Sequence, residues 1–139
     1  MEKKNIRVLM SKLGVDGHWR GIVSVSKALM EAGMEVIFGG FQSIPQVVKT
    51  AEEEDVDVIG LSIHSGAHLE WTQRLVDMLK EKGLEKDFLV VVGGIIPDGD
   101  ELKLKEIGAA DSFGPGTEMK KIVESIKDKV PVTKKLSLS

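Results

Sequence analysis

Asp16 and His18 stand two apart in SKLGVDGHWRG, residues 11–21, on a backbone loosened by Gly14, Gly17 and Gly21. A carboxylate beside an imidazole is the usual support for a metal-ligating histidine. The acid accepts the proton on one ring nitrogen, which fixes the tautomer and makes the other nitrogen a better donor. Glycines let such a loop lie close against a ligand. The same residues also read as a loop histidine paired locally with an acid, or as Asp16 capping the next helix. Spacing alone leaves these readings open.

Three further stretches invite chemistry. In IGLSIHSGAHLEW, Ser62 stands at a strand end, where its hydroxyl either donates to a ligand or caps the helix beginning near His68. His64 and His68 lie four apart, the spacing of a metal pair on a helix, but Gly66 between them argues for loop, and with no third ligand near in sequence a separate zinc site is not expected. VVVGGIIPDGD ends its apolar run in Gly93 and Gly94, which suit either the close passage of a flat ligand or a tight turn. SFGPGTE supplies another glycine-rich loop, with Thr117 placed to cap a helix. GVDGHWRG is no P-loop, since no Gly-Lys-Ser/Thr follows a four-residue gap. A serine elbow is also missing, as is any persuasive carboxylate pair.

The elements that must position these residues alternate along the chain. Ile6–Met10, Val36–Phe38, Val56–Leu61 and Leu89–Val92 are short and rich in valine, isoleucine and leucine, as strands buried on both faces are. Between them, Ile22–Ala32, Ile44–Glu54, His68–Lys82 and Asp100–Ile107 carry apolar residues at three- and four-residue intervals. Gly33, Gly83 and Gly108 follow three of these segments, where a left-handed residue closes a helix. A weak strand at Asp111–Phe113 precedes a helix over about 118–128. Strand–helix alternation predicts an α/β, flavodoxin-like, doubly wound five-stranded parallel sheet of order 2-1-3-4-5. Ligands bind such sheets beyond the strands' carboxyl ends, where the order reverses. That rule selects the loops after Met10 and Leu61, which hold all 3 histidines of the chain.

The 139 residues suffice for one domain, expected over 1–130 with a polar tail at 131–139. With 42% hydrophobic and 29% charged residues the composition is that of a soluble globular protein. A net charge of −3 and no basic stripe argue against nucleic acid as a partner. The absence of cysteine excludes disulfides and thiolate sites and agrees with a cytoplasmic location. No apolar stretch approaches the ~20 residues of a membrane span.

Taken in order, the stretches resemble the cobalamin-binding domain of adenosylcobalamin-dependent acyl-CoA mutases, methylmalonyl-CoA mutase above all. Asp16, His18 and Gly21 match Asp-x-His-x-x-Gly, Ser62 opens Ser-x-Leu, and Gly93 and Gly94 supply Gly-Gly. KALMEAGMEVIF, FQSIP, EEDVDVIGLS, GGIIPDGD and FGPGT are similar as well, so the likeness spans about 7–127. It implies cobalamin bound with its own base removed from cobalt, His18 as lower axial cobalt ligand, and Asp16 hydrogen-bonded behind it. The nucleotide tail would enter a slot lined by Ser62, Gly93 and Gly94. The full binding set implied is Asp16, Gly17, His18, Trp19, Arg20 and Gly21, then Ser62, His64, Ser65 and Gly66. Gly93 and Gly94, and Phe113, Gly114, Pro115, Gly116 and Thr117, complete it.

The resemblance implies a radical carbon-skeleton rearrangement with adenosylcobalamin, in which cofactors carry the chemistry and protein positions them. The acyl-CoA substrate would sit in a (β/α)₈ barrel, which needs roughly 250 residues. The expected role is therefore a small subunit, inactive alone, working with a separate barrel-type mutase subunit. His64 stands where the family usually has leucine, and Trp19 where it usually has aspartate. A corrinoid methyl-transfer protein shares Asp-x-His-x-x-Gly but usually carries a helical domain before it, where fifteen residues precede Asp16 here. A non-catalytic cobalamin carrier or sensor is the other alternative.

Overall fold

The structure, a computed structural model, describes residues 5–13, 20–41 and 43–130. Strands β1 (Arg7–Leu13), β2 (Glu35–Phe41), β3 (Val58–Ile63), β4 (Leu89–Gly94) and β5 (Asp111–Phe113) alternate with five helices. These are α1 (Arg20–Glu31), α2 (Ile44–Glu53), α3 (His68–Glu81), α4 (Asp100–Ile107) and α5 (Met119–Lys129). Every strand pairing is parallel and the sheet order is β2-β1-β3-β4-β5, as the alternation predicts.

Side-chain parity divides the interior in two. Leu9 and Leu13 of β1 with Ile59, Leu61 and Ile63 of β3 face α2, α3 and α4, meeting Val47, Val48, Ala51, Leu75, Leu79 and Leu104. Val8 and Met10 with Val58 and Val91 face α1 and α5, meeting Ile22, Leu29, Ile122 and Ile126. Each such fully buried side chain contributes about 1.5–3 kcal/mol, so the sheet is fixed from both sides. Helix ends follow local chemistry. Ser43 and Gln46 form a reciprocal capping box at α2, with Pro45 in its first turn. Gly33, Gly83 and Gly108 all take positive φ just past α1, α3 and α4.

β1 runs to Leu13, three residues beyond the apolar run that announces it. Ser11 and Lys12 are fully buried there because β1 is hydrogen-bonded on both sides. Likewise β2 extends to Phe41 and β3 ends at Ile63 rather than Leu61.

Candidate functional site

Register places Lys12, Ser62, Gly93 and Phe113 side by side across β1, β3, β4 and β5, at the carboxyl end of the sheet. One level deeper stand Met10, Gly60, Val91 and Asp111. Gly60 and Gly93 each remove a side chain from the same face of the sheet. The result is a cavity of about 240 Å³ between that face and helices α1 and α5.

The two glycines act differently. A Cβ on Gly60 would lie 2.7 Å from Met10 Sδ, so the missing side chain there admits the thioether that closes the bottom. A Cβ on Gly93 would meet nothing nearer than Phe113 O at 3.7 Å, so its missing side chain leaves open space. Gly94 is a third case. Its φ of +143° and a Cβ position 1.9 Å from Ile63 O admit no other residue without moving β3 from β4.

The walls are mainly apolar: Ile22 and Val25 from α1, Met119, Ile122 and Ile126 from α5, and Val91 and Phe113 from the sheet. Polar side chains are few, namely Ser62, His64 and Thr117. Thr117 Oγ1 donates to Gly114 O at 2.8 Å, which folds the Gly114–Thr117 loop over one edge of the opening. Pockets for whole drug-sized ligands usually run from ~300 to 1,000 Å³. This slot fits a flat bicyclic group and excludes a macrocycle. It therefore suits the ring end of a larger ligand whose bulk lies outside the sheet edge.

Asp111 steadies the wall beside Phe113. Burial raises the pKa of its carboxyl, but three contacts outweigh that and hold it below the ordinary carboxylate value. Ser125 Oγ donates to it at 2.5 Å and the Ser112 amide at 2.9 Å, while Lys129 Nζ lies 3.5 Å away. On the opposite face, His68 Nε2 meets Asp100 Oδ2 at 2.6 Å, joining the first turns of α3 and α4.

Of the residues singled out by sequence, Gly21, Ser62, His64, Gly93, Gly94 and all five of Phe113–Thr117 converge on the slot. Asp16, Gly17, His18 and Trp19 lie outside the described residues. Arg20 opens α1. Ser65 and Gly66 are exposed in the bend before α3 and do not line the slot; Gly66 has a φ of +86°, the loop geometry expected. Two capping readings are corrected. Ser62 lies inside β3 and α3 begins after Ala67 without a side-chain cap, while Thr117 bonds back to Gly114 and α5 begins after Glu118. Lys12, wholly buried beside Ser62, was missed, as was the His68–Asp100 pair. A lysine close after an apolar strand run, ahead of the loop that carries Asp16, was the available signal for the first. Nothing in sequence spacing links positions 68 and 100.

A parallel sheet with a ligand-sized slot at its switch point defines a doubly wound, ligand-binding α/β domain. The comparisons narrow that class. Residues 6–124 match the B12 binding domain, and the chain belongs to that family. It is 40% identical over 131 residues to the 2-hydroxyisobutanoyl-CoA mutase small subunit of Aquincola tertiaricarbonis, covering 94% of this chain and 96% of that one. Against the pivalyl-CoA mutase small subunit of Xanthobacter autotrophicus the identity is 45% over 122 residues, covering 87% and 81%. Among solved structures, a cobalamin-binding protein from Desulfitobacterium hafniense superposes with a TM-score of 0.75 at 25% identity, covering 92% of this chain and 60% of that one. The resemblance read from the motifs is thereby borne out.

Proposed function

We propose that the chain is the cobalamin-binding small subunit of an acyl-CoA carbon-skeleton mutase and works with a separate barrel-type subunit that holds the acyl-CoA. The observation that carries this reading is the slot. Its size and apolar walls match the nucleotide base of cobalamin, and it opens at the carboxyl end of the sheet, where β1 ends at Leu13. Two small subunits of acyl-CoA mutases, matched over 96% and 81% of their length, support the same assignment.

In this reading the ligand is divided between two parts of the chain. Gly93 leaves room for the base, Ile22, Val91 and Ile122 exclude water from it, and Ser62 offers its hydroxyl to a ring nitrogen. His18 would supply one ring nitrogen to cobalt, and Asp16 would accept the proton on the other, which would keep the ring neutral and oriented. When bound, adenosylcobalamin supplies the radical that starts the rearrangement, a task no side chain performs. The protein's share is to bind the tail away from cobalt and to fix the lower ligand.

The decisive measurement is electron paramagnetic resonance of the chain loaded with cob(II)alamin. Coupling to one protein imidazole nitrogen is expected in the wild type and absent in His18→Ala. A wild-type spectrum without that coupling, or an unchanged spectrum in the variant, would overturn the ligand assignment. Copurification with a barrel subunit tests the partnership independently.

A further inference from the structure

The depth of the slot can be read on two elements. On β3, Ser62 and Gly60 both line it, and alternate residues of a strand are ~6.6 Å apart. On α5, which starts at the open end and descends, Ile122 and Ile126 are four residues and ~6 Å apart. The floor is therefore the level of Ile126, Gly60, Val91 and Met10, with the thioether of Met10 lying across Gly60.

That floor is chemically distinct from the mouth. Among the described residues, no side-chain nitrogen or oxygen lines it: Val91 and Ile126 present carbon, and the sulfur of Met10 is only a weak acceptor. Gly60 is paired with β1 on one side and β4 on the other, so its backbone groups belong to the ladders. Asp111 shares the register level but does not line the cavity, and its carboxylate is held by Ser125 and Lys129 of α5. The polar side chains of the slot, Ser62, His64 and Thr117, all stand nearer the opening.

A bicyclic base enters with its linked ring toward the mouth and its far ring at the floor. On the cobalamin reading, on which this step rests, a benzimidazole turns carbon-bound hydrogens or methyl groups to that floor. A purine turns ring nitrogens and an exocyclic group there, and these lose water without finding a partner. A buried polar group left unsatisfied costs more than a made hydrogen bond contributes.

We infer that the floor of the slot selects the lower base, with Met10 as its specificity-determining residue. The chain takes corrinoids whose tail ends in a benzimidazole and discriminates against those whose tail ends in a purine.

Equilibrium titration of the full chain tests this with cobalamin, with the same corrinoid carrying adenine as its lower base, and with cobinamide, which has the corrin but no nucleotide tail. The wild type should bind cobalamin roughly 100-fold more tightly than the adenine form, the effect of one or two unsatisfied polar groups. Met10→Leu, which keeps the floor apolar, should preserve that ratio. Met10→Gln, which puts an amide there, should reduce it about tenfold. Thermal melts report whether Met10→Gln is folded; if it is not, Val91→Thr supplies a hydroxyl at the same level and should shift the ratio the same way. Equal wild-type affinity for the two complete corrinoids would refute the assignment, as would an unchanged ratio in the folded polar variant. The reading beneath it fails in a distinguishable way, if the wild type binds cobalamin no more tightly than cobinamide.

Discussion

Gly93 and Gly94 are adjacent, yet the structure gives them separate tasks, and substitution should separate them. Gly93→Val puts a β-branched side chain into a strand interior where its Cβ meets nothing nearer than Phe113 O at 3.7 Å. Glycine weakens a strand there, so the stability of Gly93→Val should equal or exceed that of the wild type. The added methyls enter the slot and, on the proposed function, displace the base. A buried bicyclic aromatic removes about 150–250 Å² from water, which at ~25 cal/mol per Å² amounts to about 4–6 kcal/mol. Ordering the tail offsets part of this, so cobalamin affinity should fall roughly 100- to 1,000-fold while cobinamide binding holds. Gly94→Ala should do the opposite. With φ at +143° and a Cβ 1.9 Å from Ile63 O, it costs on the order of 3 kcal/mol. The melting temperature should drop by about 10 °C. Calorimetric melts and corrinoid titration read the two effects separately. A stable Gly93→Val that binds cobalamin like the wild type would refute the placement of the tail between β4 and the α1–α5 face.

Other expectations concern the supports of the slot. The carboxyl of Asp111 is held below its unfolded value, so its contribution to stability is complete at neutral pH and disappears as pH falls through the folded value. Asp111→Asn should therefore be less stable than the wild type at pH 7, with the gap closing in acid; a gap that is constant with pH would exclude the linkage. Asp100→Ala leaves the buried His68 without its partner and should cost about 1–3 kcal/mol in denaturant unfolding. His68→Leu in that background should recover part of the loss, since removing both polar groups is milder than orphaning one. If the pair of substitutions is as costly as the sum of the singles, the hydrogen bond is not the source.

Much of this architecture was legible because parallel strands buried on both faces have few compositional choices. Val56–Leu61 read as a buried strand, which the structure places at Val58–Ile63, and the glycines after α1, α3 and α4 marked helix ends through their need for positive φ. The glycine edges of the slot were visible as paired glycines at a strand end, although a tight turn would read the same way. Its apolar walls were not visible. Ile122 and Ile126 of α5 are four apart, a spacing that core packing and ligand packing demand equally, and only the gaps at Gly60 and Gly93 show that part of that stripe faces a cavity. Lys12 was hidden because an ammonium in a strand usually signals an edge, whereas β1 has a neighbour on each side. The capping roles expected of Ser62 and Thr117 failed because short polar side chains near helix starts have several local partners. The competition between those partners is decided by the path of the loop, not by spacing.

On the proposed function, one ligand is divided between a sheet slot and a loop histidine, and this has a thermodynamic consequence that neither anchor has alone. With the tail in the slot, the cobalt is confined near His18, and ligation becomes an intramolecular event. Such linkage multiplies affinity by about 10²–10⁴ over the separate contacts. Removing either anchor forfeits its own contacts and the linkage together, whereas removing the second finds the linkage already gone. Gly93→Val and His18→Ala should thus be strongly sub-additive: the double variant should bind cobalamin far better than the product of the two single losses implies. Titration of the four proteins closes the cycle. Additive losses would mean that the slot and the histidine do not hold the same molecule, and base-off binding across the two would have to be abandoned.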